Sequence, residues 1–126
     1  MGEMLSKLAA LVPFFGRRER QPLVAVLRLH GAIGAAGIGR GGLSIASTAR
    51  DLEAAFTLRG VKAVALSINS PGGSPVQSNL IYRRIRSLSE EHKVPVIAFC
   101  EDAAASGGYW LACAADEIYA DANSIV

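Results

Sequence analysis

Two short segments hold residues that could do chemistry together: Asn69-Ser70-Pro71-Gly72-Gly73-Ser74, and Ala103-Ala104-Ala105-Ser106-Gly107-Gly108-Tyr109. Taken singly, each has a plain structural reading. In the first, proline fixes φ, glycine permits positive φ and Ser74 caps the helix that follows, which makes a tight strand-to-helix turn. In the second, Ser106 reads as an N-cap serine. Together they say more. Adjacent glycines at a strand end open backbone N–H groups to a ligand and let its backbone pass closely, as an oxyanion hole requires. A serine on a strand-turn-helix, followed by a residue whose N–H can meet a developing oxyanion, is the arrangement of a nucleophile in acyl transfer.

Those segments need a frame that holds both at one edge. From Pro22 onward, β-branched apolar runs alternate with stretches of helical spacing. Residues 23–29, 61–68 and 94–100 read as strands, and 117–120 as a short fourth. A helix is expected over residues 44–58, with Ile45, Ala49, Leu52 and Phe56 on one stripe and Gly60 as its stop. Another is expected over 74–92, with Val76, Leu80, Ile81 and Leu88 inward and Arg83, Arg84, Arg86, Glu90 and Glu91 outward. A third should begin near Ser106 and run through Trp110, Leu111 and Cys113. Near-continuous apolar strands suit burial on both faces. The order β-α-β-α-β-α-β predicts an α/β fold with a parallel sheet and right-handed crossovers. Ligands and catalytic groups gather at the carboxyl ends of such strands, where both segments lie.

Composition supports one compact unit over residues 22–126: 51% of the 126 residues are hydrophobic and 19% charged. A net charge of +2 is too small for a nucleic-acid partner, which needs a clustered basic face. Cys100 and Cys113 fit neither a disulfide framework nor a four-ligand zinc site, so no metal or other cofactor is expected. A reduced compartment follows, the cytoplasm or the cytoplasmic face of a membrane. Residues 1–21 form an N-terminal arm in which Leu5, Leu8, Val12 and Phe15 share a helical stripe beside Lys7, Arg17, Arg18 and Arg20. The arm could lie in a membrane interface or pack on itself. Its apolar stretch is far shorter than the roughly 20 residues that span a bilayer. Glu3 and the arginines argue against a secretory signal.

At the two glycine-rich segments the chain resembles the signal peptide peptidase A family of serine peptidases, which share a superfamily with the Clp protease subunit and the crotonases. Both motifs occur in order and register, separated by a helix and the strand Val94-Pro95-Val96-Ile97. Leu29-His30-Gly31-Ala32-Ile33 and Ala114-Ala115-Asp116-Glu117-Ile118-Tyr119-Ala120 extend the resemblance from about Leu23 to the C-terminus. The resemblance implies a Clp protease/crotonase-like fold with Ser106 as nucleophile. It also implies the N–H groups of Gly72 and Gly107 as oxyanion donors, with Gly73 shaping the turn. The family's base is a lysine well downstream of the serine, and a lysine serves only if desolvation lowers its pKa. Lys7, Lys62 and Lys93 all precede Ser106, and the family does not use a histidine such as His30 or His92. The base is therefore expected beyond Val126, in a truncated chain inactive on its own. The family further implies hydrophobic peptide substrates such as signal peptide remnants and a homo-oligomeric assembly, while the amphipathic arm allows peripheral membrane contact.

Three rival readings stand beside this one. Gly37-Ile38-Gly39-Arg40-Gly41-Gly42 satisfies a dinucleotide-binding pattern but lies several residues past its strand, and Ser44 rather than the glycines opens the next helix. A crotonase-type acyl-CoA enzyme would share the fold and a backbone oxyanion hole without needing a serine at 106. A catalytically inactive scaffold of the same fold is the third.

Overall fold

The computed structural model describes residues 21–34 and 41–126. In chain order it runs β1 (Leu23–His30), α1 (Ile45–Thr57), β2 (Val61–Ser70), α2 (Pro75–His92), β3 (Val96–Ala104), α3 (Gly107–Ala112) and β4 (Glu117–Ala120). The four strands form one sheet in the order β1-β2-β3-β4, every neighbour parallel. The expected α/β fold with a parallel sheet is present. The N-terminal arm through residue 20 and Gly37 to Arg40 of the glycine-rich pattern lie outside the described residues.

Neighbouring parallel strands joined by right-handed crossovers place all their helices on one side of the sheet. That side carries Leu27 and Leu29 of β1, Val64, Leu66 and Ile68 of β2, and Val96 and Ala98 of β3, all buried. Leu52 and Phe56 of α1 and Ile81, Ile85 and Leu88 of α2 close over them. Each such side chain contributes about 1.5–3 kcal/mol on leaving water. The opposite side stays open among the described residues: Val24, Val26 and Phe99 are exposed, and Phe99 stacks on Tyr119 with ring centroids 5.6 Å apart. Burial on both faces is thus met on one face only, because successive same-handed crossovers leave the second face without a helix.

Capping explains where the helices start and how they are rotated. Ser44 caps α1 in a reciprocal box with Ser47, each side chain bonding the other's backbone N–H at 3.0 and 2.9 Å. Ser74 caps α2, its Oγ accepting from the Gln77 N–H at 3.3 Å, and Pro75 occupies the first helical position. This start turns Ser78, Ile81, Ile85 and Leu88 inward and leaves Val76 at 66% exposure and Leu80 outward. The expected inward stripe of Val76 and Leu80 is therefore displaced. Small Ser78 takes the inward place, where α2 meets Gly107 of α3.

β3 begins at Val96 rather than 94, because the Val94 N–H still closes α2 by donating to the Ser89 carbonyl at 3.1 Å. It continues to Ala104, which pairs with Ser70. α3 ends at Ala112, with Cys113 as its cap. Asp116 ties three of these pieces together. Its Oδ2 accepts from the Val96 N–H at 2.8 Å and its Oδ1 meets Arg86 Nη1 at 3.1 Å. The Val96 bond, with Arg86, holds the Asp116 carboxyl below its ordinary pKa against partial desolvation. No helix among the described residues is long and apolar enough to cross a membrane.

Candidate active site

Both glycine-rich loops stand at the carboxyl edge of the sheet, and both are stitched to their neighbours. The first leaves β2 at Ser70. Its Gly72 carbonyl accepts from the Ile33 N–H at 2.9 Å, and its Ser74 N–H donates to the Ile33 carbonyl at 2.8 Å. Gly72 and Gly73 have φ of 99° and 148°, values that favour glycine. The second loop leaves β3 at Ala104, and its Ala105 N–H donates back to the Ser70 carbonyl at 3.1 Å. Ser70 therefore touches both loops.

Ser106 has φ 54° and ψ −121°, a combination rarely populated by residues other than glycine. Lys93 is the other non-glycine residue with positive φ among those described, and it is an ordinary left-handed helix cap. The N-cap reading of Ser106 fails on geometry, since its side chain makes no capping bond. Its carbonyl instead receives the N–H groups of Tyr109 and Trp110 at 3.0 and 3.2 Å. The hydroxyl is left exposed on a strained strand-to-helix turn.

The structure brings Ser106, Gly72 and Gly107 into contact. A Cβ on Gly72 would lie 2.7 Å from Ser106 Cβ and 2.8 Å from both the Ala105 oxygen and the Gly107 nitrogen. Among the described residues the Gly107 N–H meets no acceptor. The N–H groups of Gly72 and Gly73 differ in their surroundings. The Gly72 N–H is occupied, donating to Ser70 Oγ at 3.1 Å, whereas the Gly73 N–H has no acceptor among the described residues. Gly72 supplies close approach, and Gly73 supplies an open donor.

Sequence reasoning passed over Ser70 and Gly108. Ser70 is fully buried, and a Cβ on Gly108 would stand 2.6 Å from its carbonyl oxygen. A serine inside a turn motif carries no sign of burial in the sequence, so this pairing had no signal to find.

The charged groups lie elsewhere. Lys62 and Lys93 stand at the amino ends of β2 and β3, the far end of the sheet from Ser106. His30 is engaged on the open face: its Nε2 lies 2.9 Å from Ser67 Oγ and 3.3 Å from Glu101 Oε1, and the Ser67 hydroxyl donates to the same carboxylate. That donation, with the charge of His30, holds Glu101 below the ordinary carboxylate range. Burial, with Cys113 nearby, pushes the Cys100 thiol up, which keeps it protonated and a poor nucleophile. No group of three or more metal-ligating side chains occurs among the described residues.

Comparison with known proteins gives several likenesses. The model for peptidase family S49 matches residues 89–126. The chain is 61% identical over 104 residues to a Na(+)/H(+) antiporter NhaA from Brucella melitensis, covering 82% of this chain and 14% of that protein. It is 47% identical over 77 residues to Protease 4 of Haemophilus influenzae, covering 61% of this chain and 12% of that one. The chain thus spans only a small part of the curated relatives it matches. Among solved structures, a mutant of the 1510-N membrane-bound stomatin-specific protease superposes with a TM-score of 0.61 at 20% identity, over 82% of this chain and 45% of that one. That likeness concerns the fold. The family match spans the Ser106 turn and Protease 4 stands among the relatives, so this part of the chain is similar to the serine peptidases of family S49.

Proposed function

We propose that this chain carries the nucleophile and oxyanion site of a serine endopeptidase that cleaves hydrophobic peptides, signal peptide remnants among them. The observation that carries the reading is the backbone of Ser106, at φ 54° and ψ −121°, with its hydroxyl exposed and without a capping bond. Strain of this kind, about 1–3 kcal/mol, is kept at functional sites and is not needed for a simple cap. In the proposed reaction Ser106 Oγ attacks the peptide carbonyl carbon while its proton passes to the neutral amine of a lysine. The oxyanion is met by the open N–H groups of Gly107 and Gly73. The tetrahedral adduct collapses as the lysine returns that proton to the departing amine, leaving an acyl-enzyme. Water, deprotonated by the same lysine, then hydrolyses the ester and restores the serine. Neither Lys62 nor Lys93 stands at this end of the sheet, so the base of the dyad comes from outside the described residues.

A crotonase-type reaction would use the N–H groups but not the strained serine. Ion transport is named for the Brucella relative, of which this chain covers 14%. The test is labelling of the protein, as its gene encodes it, by a fluorophosphonate probe, with hydrolysis of a fluorogenic hydrophobic peptide measured in parallel. Ser106→Ala should abolish both. Wild-type turnover in Ser106→Ala would refute the assignment.

A further inference from the structure

We infer that Ser70 is a positioning residue of the oxyanion loop: its buried hydroxyl holds the Gly72 N–H while the Ile33 N–H holds the Gly72 carbonyl, and the two bonds together set the backbone that carries the open Gly73 N–H. The inference rests on Ser106 being the nucleophile. Ser70 is fully shielded from solvent, the last residue of β2, and placed between the two loops. Its Oγ accepts from the Gly72 N–H at 3.1 Å, and its carbonyl accepts from the Ala105 N–H, also at 3.1 Å. Gly108 backs directly onto it, with room for no Cβ between them. One residue thus ties the peptide before the Gly73 donor to the turn that presents Ser106.

The alternative acceptor matters here. Without the hydroxyl the Gly72 N–H would be buried and unsatisfied, and its peptide plane would rotate to find a partner. The Gly72 carbonyl stays tied to the Ile33 N–H, so the search is taken up at φ and ψ of Gly72 and tilts the adjoining peptide that bears the Gly73 N–H. Donors act on a developing oxyanion only when already aimed at it, so the loss falls on the chemical step and not on the binding of the neutral ground state. A hydroxyl that only filled space would affect folding and leave the rate per folded molecule alone.

The experiment compares wild type, Ser70→Ala, Ser70→Thr and Ser106→Ala in the protein as its gene encodes it. Fluorophosphonate labelling supplies the limiting rate and the half-saturating probe concentration per folded molecule. Amide hydrogen exchange supplies the protection of Gly72. Ser70→Ala should lower the limiting rate at least tenfold with half-saturation unchanged and should release the Gly72 amide, while Ile68 and Leu66 stay protected. Ser70→Thr, which keeps the hydroxyl, should recover most of the rate. Labelling of Ser70→Ala at or above the wild-type rate, or a Gly72 amide already unprotected in wild type, would overturn the inference. If Ser106→Ala labels like wild type, or wild type does not label, the nucleophile reading fails and takes this inference with it. Loss of label in Ser106→Ala beside full labelling of Ser70→Ala sinks the Ser70 role alone.

Discussion

Replacing Ser106 by glycine should make the protein more stable while removing its chemistry. The serine sits at φ 54° and ψ −121°, outside the broad regions open to L-residues. Holding a non-glycine residue there costs about 1–3 kcal/mol, which glycine does not incur. Glycine brings its own penalty, about 0.5–1 kcal/mol of extra backbone entropy in the unfolded chain. The central values leave Ser106→Gly more stable by about 1 kcal/mol. For a chain of this size that is a rise in melting temperature of roughly 3–6 °C. Ser106→Ala isolates the other possibility. The side chain makes no capping bond, so alanine should stay within about 0.5 kcal/mol of wild type, whereas loss of a true cap would cost about 1 kcal/mol. Thermal and urea unfolding of the three proteins measure both differences. A drop of 1 kcal/mol or more in Ser106→Ala would restore the cap reading. No gain in Ser106→Gly would show that the turn is unstrained, and the structural case for a nucleophile would fall with it.

Other perturbations probe the same edge of the sheet. Gly31 and Gly72 have nearly the same φ, 98° and 99°, but a Cβ on Gly31 meets nothing within 4 Å while one on Gly72 meets backbone of the Ser106 turn. Gly31→Ala should cost about 1 kcal/mol and spare Ser106 labelling, whereas Gly72→Ala should cut labelling by a factor of about 10² or more. A Cβ on Gly107 would crowd Ser78 and lie 3.1 Å from Ile33 Cδ1. Gly107→Ala should therefore destabilise by about 1–3 kcal/mol, and the double variant with Ser78→Ala by less than the sum of the singles, read from urea unfolding. Asp116 has its folded-state pKa held below the ordinary 3.8, so its contribution is complete above that value and is lost as pH falls through the lowered one. Asp116→Asn should flatten the acid limb of the stability curve and leave its shape near pH 7 unchanged.

The alternation of apolar runs and helical stretches made the sheet readable, since a parallel βα unit needs both kinds of segment in that order. Four of the seven elements were legible from core residues: Leu27 and Leu29, Leu66 and Ile68, and Val96 and Ala98 for β1, β2 and β3, and Leu52 and Phe56 for α1. What composition could not carry was phase and side. Val76 and Leu80 look as apolar as Ile81 and Leu88, yet the cap at Ser74 and the need for a small residue opposite Gly107 rotate them to solvent. The apolar strands promised two covered faces, and only handedness decides that the helices share one. At the site, residue types disclosed that Ser106 and the glycines belong together, because two motifs in register are hard to produce otherwise. Which of two adjacent N–H groups is already bonded depends on two peptide planes, one held by the buried Ser70 Oγ and the next by the Ile33 N–H, and the sequence displays neither contact.

The strained turn survives because its surroundings leave it nowhere else to go. On one side the Ala105 N–H is held by the Ser70 carbonyl at 3.1 Å, and on the other the Gly108 N–H is held by the Ala105 carbonyl at 2.9 Å. The Ser106 carbonyl is pinned by the first two amides of α3 able to reach it, those of Tyr109 and Trp110. Gly72 closes the remaining direction, close enough that a single methyl there would strike Ser106 and the atoms flanking it. Each bond is individually worth about 0.5–1.5 kcal/mol, so relaxing φ at Ser106 would forfeit more than the strain it released. The anchors belong to β2 and the Gly72 loop, not to α3, a helix of 6 residues too short to hold a nucleophile by itself. Ser106 is thus positioned from the neighbouring strand, and the loop that positions it is the same loop that carries the open Gly73 N–H. On the proposed reading, nucleophile and donor keep their spacing before any peptide arrives, the condition under which backbone N–H groups stabilise a transition state without reorganising.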